Sequence, residues 1–106
     1  NKKVLAVFQP HLFSRTRDFA EEFAQSLSVF DEVMLMDIYP AREIPIEGIS
    51  SAWLLEKIEN EKKQLVSKEE LASSIKKSSA EVVMMIGAGD IGEEVEKVQK
   101  ALLNEA

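Results

Sequence analysis

Residues 4–17 read Val-Leu-Ala-Val-Phe-Gln-Pro-His-Leu-Phe-Ser-Arg-Thr-Arg, and the fold follows from how this stretch is parsed. Val4 to Phe8 is an unbroken apolar run rich in β-formers, the pattern of a strand buried on both faces of a parallel sheet. Pro10 ends it, because proline has no amide for a ladder and drives Gln9 away from helical geometry. A helix is expected to start at once, with Ser14 as N-cap and Phe19, Ala20, Phe23, Ala24 and Leu27 on one face. The loop carrying Gln9 to Ser14 then joins the carboxyl end of a strand to a helix N-terminus, the place where open α/β sheets hold ligands.

The rest of the chain repeats that alternation. Residues 33–38, Val-Met-Leu-Met-Asp-Ile, are expected to form a second strand ending at Tyr39-Pro40. Residues 41–48 hold Pro45 and close on Gly48, which makes an irregular loop, long for a connector in a compact domain. Ser50 or Ser51 can cap a short helix bearing Trp53, Leu54, Leu55 and Ile58. Gln64-Leu65-Val66 is a short strand for a sheet edge. Ser67 and Glu70 have capping-box spacing, so a third helix burying Leu71, Ala72 and Ile75 begins there. Residues 81–86 form a fourth strand expected to be buried on both faces. A last helix carries Ile91, Val95, Val98 and Leu102 on one stripe. Four strands alternating with helices specify an α/β domain of three layers, with a mainly parallel sheet and right-handed crossovers.

Composition narrows the function. The 106 residues are expected to form a single domain, and 45% hydrophobic with 30% charged residues is the balance of a globular protein. No apolar stretch approaches the ~20 residues of a membrane span, so no membrane partner is expected. A net charge of −6 argues against nucleic acid as a partner, which clustered Lys and Arg would bind. The absence of cysteine excludes disulfides and thiolate metal sites and fits a reducing compartment. The chain enters its first strand by Val4 with no leader ahead of it, so it reads as an excised piece of a longer protein.

Candidate chemistry is sparse. Gly87-Ala88-Gly89-Asp90-Ile91-Gly92 matches G-x-G-x-x-G, but too little chain follows for the acidic residue that a dinucleotide fold needs. Asp90 would also repel a pyrophosphate. A tight strand-to-helix turn is the better reading, with the amides around Gly87 and Gly89 still able to line a ligand edge. His11 is the sole histidine, so no metal site is expected from it. Arg15, four residues on, could join unpaired helix amides to make a carboxylate or phosphate receptor. It could equally be one more exposed arginine, and the residues alone leave both open. Ser14 is better explained as a cap than as a nucleophile, so no catalytic residue is expected in this chain. Met34, Met36, Met84 and Met85 fall in strands and read as core. No phosphate-cradling G-x-x-x-x-G-K-[ST] loop is present.

Phe8-Gln9-Pro10-His11-Leu12-Phe13-Ser14-Arg15-Thr16 resembles the Phe-Gln-Pro-His-x-x-Ser-Arg-Thr signature of the C-terminal domain of the UDP-N-acetylmuramate:L-alanine ligases, within the Mur ligase family. The likeness continues through Asp37-Ile38-Tyr39-Pro40-Ala41 with Glu43, Pro45 and Gly48, and at Gly87-Ala88-Gly89-Asp90-Ile91. The related muropeptide-recycling ligase, the nearest alternative, would show a Glu-Pro-Arg-Ser-like sequence at Gln9-Pro10-His11. A free-standing flavodoxin-like module is a second alternative. At Leu12 the family often has a basic residue, which leaves Arg15 to do more of the anchoring.

The resemblance implies a Rossmann-like fold and a cytoplasmic three-domain enzyme of peptidoglycan synthesis, of which residues 1–106 are a truncated third domain, inactive alone. The other two domains would be its partners, one holding the UDP-sugar and the central one ATP and Mg²⁺. The fragment itself would need no cofactor. An Asp-Tyr-Gly-His-His-like segment normally precedes this point. ATP would phosphorylate the muramyl carboxylate, and the amine of L-alanine would attack the acyl phosphate. Arg15 would hold the alanine carboxylate with His11 beside it. Ser14, Tyr39, Gly87 and Gly89 are secondary candidates for the same site.

Overall fold

A computed structural model describes residues 3–87. The element order is β1 (Val4–Gln9), α1 (Phe13–Asp18), α2 (Ala20–Leu27), β2 (Glu32–Leu35), α3 (Ser51–Lys57), β3 (Lys63–Leu65), α4 (Lys68–Lys77) and β4 (Val82–Gly87). The four strands form one sheet in the order β3-β2-β1-β4, and every pairing is parallel. This is the α/β, Rossmann-like arrangement that the strand and helix alternation calls for.

Alternation along β1 divides the core in two. Leu5 and Val7 point to one face, where they pack with Met34, Met36, Val66 and the α4 residues Leu71 and Ile75. Ala6 and Phe8 point to the other, where they meet Val33, Leu35, Ala20, Ala24, Leu27, Leu54 and Ile58 from β2, α2 and α3. The chain steps outward from β1 to β2 to β3 with helices on the second face, then returns beneath the sheet through α4 to reach β4. Right-handed crossovers require that change of face when the direction of stepping reverses.

Local signals are read out where they are self-contained. The Ser67 hydroxyl accepts from the Glu70 amide while the Glu70 side chain reaches back to the Ser67 amide, a complete capping box on α4. Ser50 caps α3, accepting from the Trp53 amide at 3.1 Å. The buried hydroxyl of Ser51 donates to the Met36 carbonyl at 2.5 Å, fixing α3 against the chain leaving β2.

Several expectations need correction. The first helix is interrupted at Phe19, whose φ of −115° and ψ of 20° break the turn. Phe19 is therefore 51% exposed instead of buried beside Ala20. β2 ends at Leu35, three residues short of the expected end at Ile38, because Pro10 takes its β1 neighbour out of the ladder. Met36 and Ile38 remain buried without being in a strand. β3 starts one residue earlier than expected and stops before Val66, which is buried against α4. β4 is not covered on both faces: Val82 is 38% and Met84 45% exposed, since among the described residues β4 forms an edge that α2 and α3 do not reach. The last helix, and Gly89 with the turn after Gly87, lie outside the described residues.

Candidate functional site

β1 is joined to β2 on one side and flanked by β4 on the other, so the carboxyl ends of β1 and β4 form the switch point of the sheet. A cavity of about 220 Å³ opens there, lined by Phe8, Gln9, His11, Arg15, Phe23 and Gly87. Its floor is aromatic. The Phe8 and Phe23 rings lie 5.2 Å apart at 49°, and Phe19 continues the series 6.4 Å from Phe23. Gly87 forms one wall with φ of +140°, and a Cβ added there would fall 2.6 Å from the Gln9 carbonyl oxygen. Only glycine allows β4 to run this close to β1 at the cavity.

His11 and Arg15 are thus brought to one cavity, with Gly87. Arg15 lies on α1 and is exposed, and among the described residues its guanidinium has no ion-pair or hydrogen-bond partner. Its neighbour Arg17 is engaged differently, donating to Asp18 at 2.9 Å, an interaction that raises the arginine and lowers the aspartate from their ordinary pKa values. The positive charge available at the cavity is therefore Arg15.

Tyr39 does not line this cavity. The residue forms a parallel bridge with His11, its amide donating to the Pro10 carbonyl and its carbonyl accepting from the Leu12 amide, each at 2.8 Å. Its ring stacks on His11 with centroids 5.7 Å apart. Tyr39 fixes the histidine from behind while itself facing a second cavity of about 270 Å³, between the ends of β1 and β2 and the start of α4. That second cavity is the larger, but charges of both signs line it, Asp37 and Glu69 with Lys68, and the capping box already satisfies the α4 terminus.

Ser14 is not the N-cap. Leu12 precedes α1 with φ of 69° and ψ of 137° and supplies no side-chain cap. A branched residue seldom adopts that conformation, and one held there costs on the order of 1–3 kcal/mol. The cap comes instead from Glu43, far along the chain in loop 41–48. Its carboxylate accepts from the Phe13 amide, from the Ser14 amide at 3.1 Å, and from the Ser14 hydroxyl. The Ser14 hydroxyl bond is the main influence holding Glu43 below the ordinary glutamate range, opposing the partial loss of solvent, with the two amides and Arg17 adding to it. The α1 amides expected to be unpaired beside Arg15 are therefore already bonded to a resident carboxylate. Sequence reasoning assigned Glu43 no role; its signal was an acid inside a loop too long to be a mere connector.

No family model matches the chain. Over its full 106 residues it is 76% identical to a UDP-N-acetylmuramate–L-alanine ligase of Christiangramia forsetii, covering 24% of that protein. By sequence, the chain matches a part of the UDP-N-acetylmuramate–L-alanine ligases. Ligases of the same name from Flavobacterium psychrophilum and Flavobacterium johnsoniae are 67% and 64% identical over 96% and 98% of the chain, covering 23% of each. The chain thus spans about a quarter of the length of these ligases and matches them as a domain-sized part. No helix among the described residues is long and apolar enough to cross a membrane.

Proposed function

We propose that residues 1–106 are the amino-acid-binding C-terminal domain of an ATP-dependent ligase that joins L-alanine to UDP-N-acetylmuramate in peptidoglycan synthesis. The observation that carries this is Arg15, a cation without an ionic partner among the described residues, at the mouth of an apolar cavity on the sheet's switch point. The names of relatives up to 76% identical agree with it.

In this site the Arg15 guanidinium takes the alanine carboxylate through two parallel N–H donors. The small methyl rests on Phe8 and Phe23, and His11, held by Tyr39, provides the polar neighbour. The amine is left facing out over the sheet's carboxyl rim, toward a muramyl carboxylate activated elsewhere in the enzyme. The contribution of this chain is orientation of the nucleophile, not a covalent step of its own.

ATP and Mg²⁺ are assigned to the central domain of the ligase. Glu43 occupies the first α1 amides, where a phosphate would otherwise be met. The domain is inactive alone. The reaction is assigned to the cytoplasm.

Arg15→Ala in the full-length ligase tests the assignment. A shielded arginine–carboxylate pair contributes about 1.5–3 kcal/mol, so KM for alanine is expected to rise about 10- to 150-fold. An alanine dependence identical to that of the parent enzyme would remove Arg15 from the site.

A further inference from the structure

We infer that Glu43 is a positioning residue for amino-acid binding, acting through α1 to hold Arg15 at the cavity; this rests on the assignment of that cavity to alanine. A helix of six residues cannot sustain itself, because nucleation is costly and few intrahelical bonds repay it. α1 also lacks a cap from the residue before it. What holds its first turn is the Glu43 carboxylate, bound to the Phe13 amide, the Ser14 amide and the Ser14 hydroxyl. One residue beyond Arg15, the fully buried Thr16 returns a hydroxyl bond of 2.8 Å to the Leu12 carbonyl. The backbone of Arg15 is therefore gripped on both sides, by a clamp at Ser14 and by an anchor at Thr16.

Glu43 also settles where negative charge goes. Helix N-terminal amides attract anions. With the protein's own carboxylate already there, an incoming carboxylate finds its positive partner, among the described residues lining the cavity, in Arg15. Arg17, on the same helix, feels Glu43 and pairs with Asp18, which keeps the second guanidinium of α1 engaged away from the substrate. Glu43 is set by its own loop, where its amide donates to the Pro40 carbonyl at 2.8 Å and Ala41 adopts φ of 53°. Loop 41–48 is thus the carrier of a clamp and not a passive connector.

Alanine kinetics of the full-length ligase with Glu43→Ala, Glu43→Gln, Ser14→Ala and Arg15→Ala test the inference. Glu43→Ala is expected to raise KM for alanine about tenfold while kcat at saturating alanine and KM for ATP stay within about twofold. Glu43→Gln keeps an oxygen acceptor and is expected to recover part of the loss, and Ser14→Ala, which removes one of three bonds, to fall between. In an Arg15→Ala background Glu43→Ala is expected to have little further effect, because both act through the same guanidinium. If the two losses multiply, or if Glu43→Ala and Glu43→Gln leave alanine KM unchanged while Arg15→Ala raises it, Glu43 is not the positioning residue and the alanine site stands. If Arg15→Ala itself leaves alanine KM unchanged, the alanine site falls and the inference with it.

Discussion

Gly87 has no side chain to contribute, yet it decides whether the cavity exists. A methyl group at this position meets the Gln9 carbonyl oxygen at 2.6 Å, and φ of +140° is strained for any residue with a Cβ. Gly87→Ala is accordingly expected to destabilise the chain by about 1–3 kcal/mol, seen as a lower urea midpoint by Trp53 fluorescence. An unchanged midpoint would mean that β4 can move away from β1 without loss. The contrast with Arg15 and His11 shows what single residues reveal. These two share a cavity because only three residues of one short loop and helix separate them, so their proximity was legible from spacing. Glu43 meets Ser14 across a sequence separation of 29, and no local pattern encodes that contact. Ser14 was misread for the same reason, since a serine at the start of a helix looks like a cap until the true cap arrives from elsewhere.

At the scale of elements, α4 and α1 are opposites. The box that starts α4 lies within four consecutive residues, so its sequence was sufficient. α1 depends on a distant acid, and that dependence has a pH signature. Glu43 is held below its ordinary pKa in the folded chain, so its contribution to stability is full above the ordinary glutamate range and fades as pH falls toward the folded value. The urea midpoint of the parent chain is therefore expected to exceed that of Glu43→Gln most at pH 7, with the gap closing below about pH 4. A gap that is constant with pH, or that widens in acid, would contradict the charged clamp. Strand ends were the least legible elements. β2 stops where its neighbour turns away at Pro10, a property of the pair that the apolar run through Ile38 does not show. The exposure of Val82 and Met84 likewise depends on which helices reach β4, not on the apolar run itself.

For the molecule as a whole, the alternation of apolar runs and helical stripes was enough to give an α/β parallel sheet, because each crossover must return the chain in the same direction. The order β3-β2-β1-β4 was not contained in any one segment, since it depends on which edge of the sheet receives β4. That order creates the switch point, and the switch point places an aromatic floor, a glycine wall and the Arg15 guanidinium around one small cavity. On the proposed reading, a domain-sized part of a ligase built this way orients one substrate for chemistry completed elsewhere in the enzyme. The carboxylate of that substrate is what Arg15 is proposed to recognise, so the most direct measurement compares alanine with alaninamide, which keeps the amine and methyl but lacks the anion. In the full-length ligase the ratio of kcat/KM for alanine over alaninamide is expected to be large, and to drop about 10- to 150-fold on Arg15→Ala. A ratio that survives Arg15→Ala unchanged would show that the carboxylate is held by some other group.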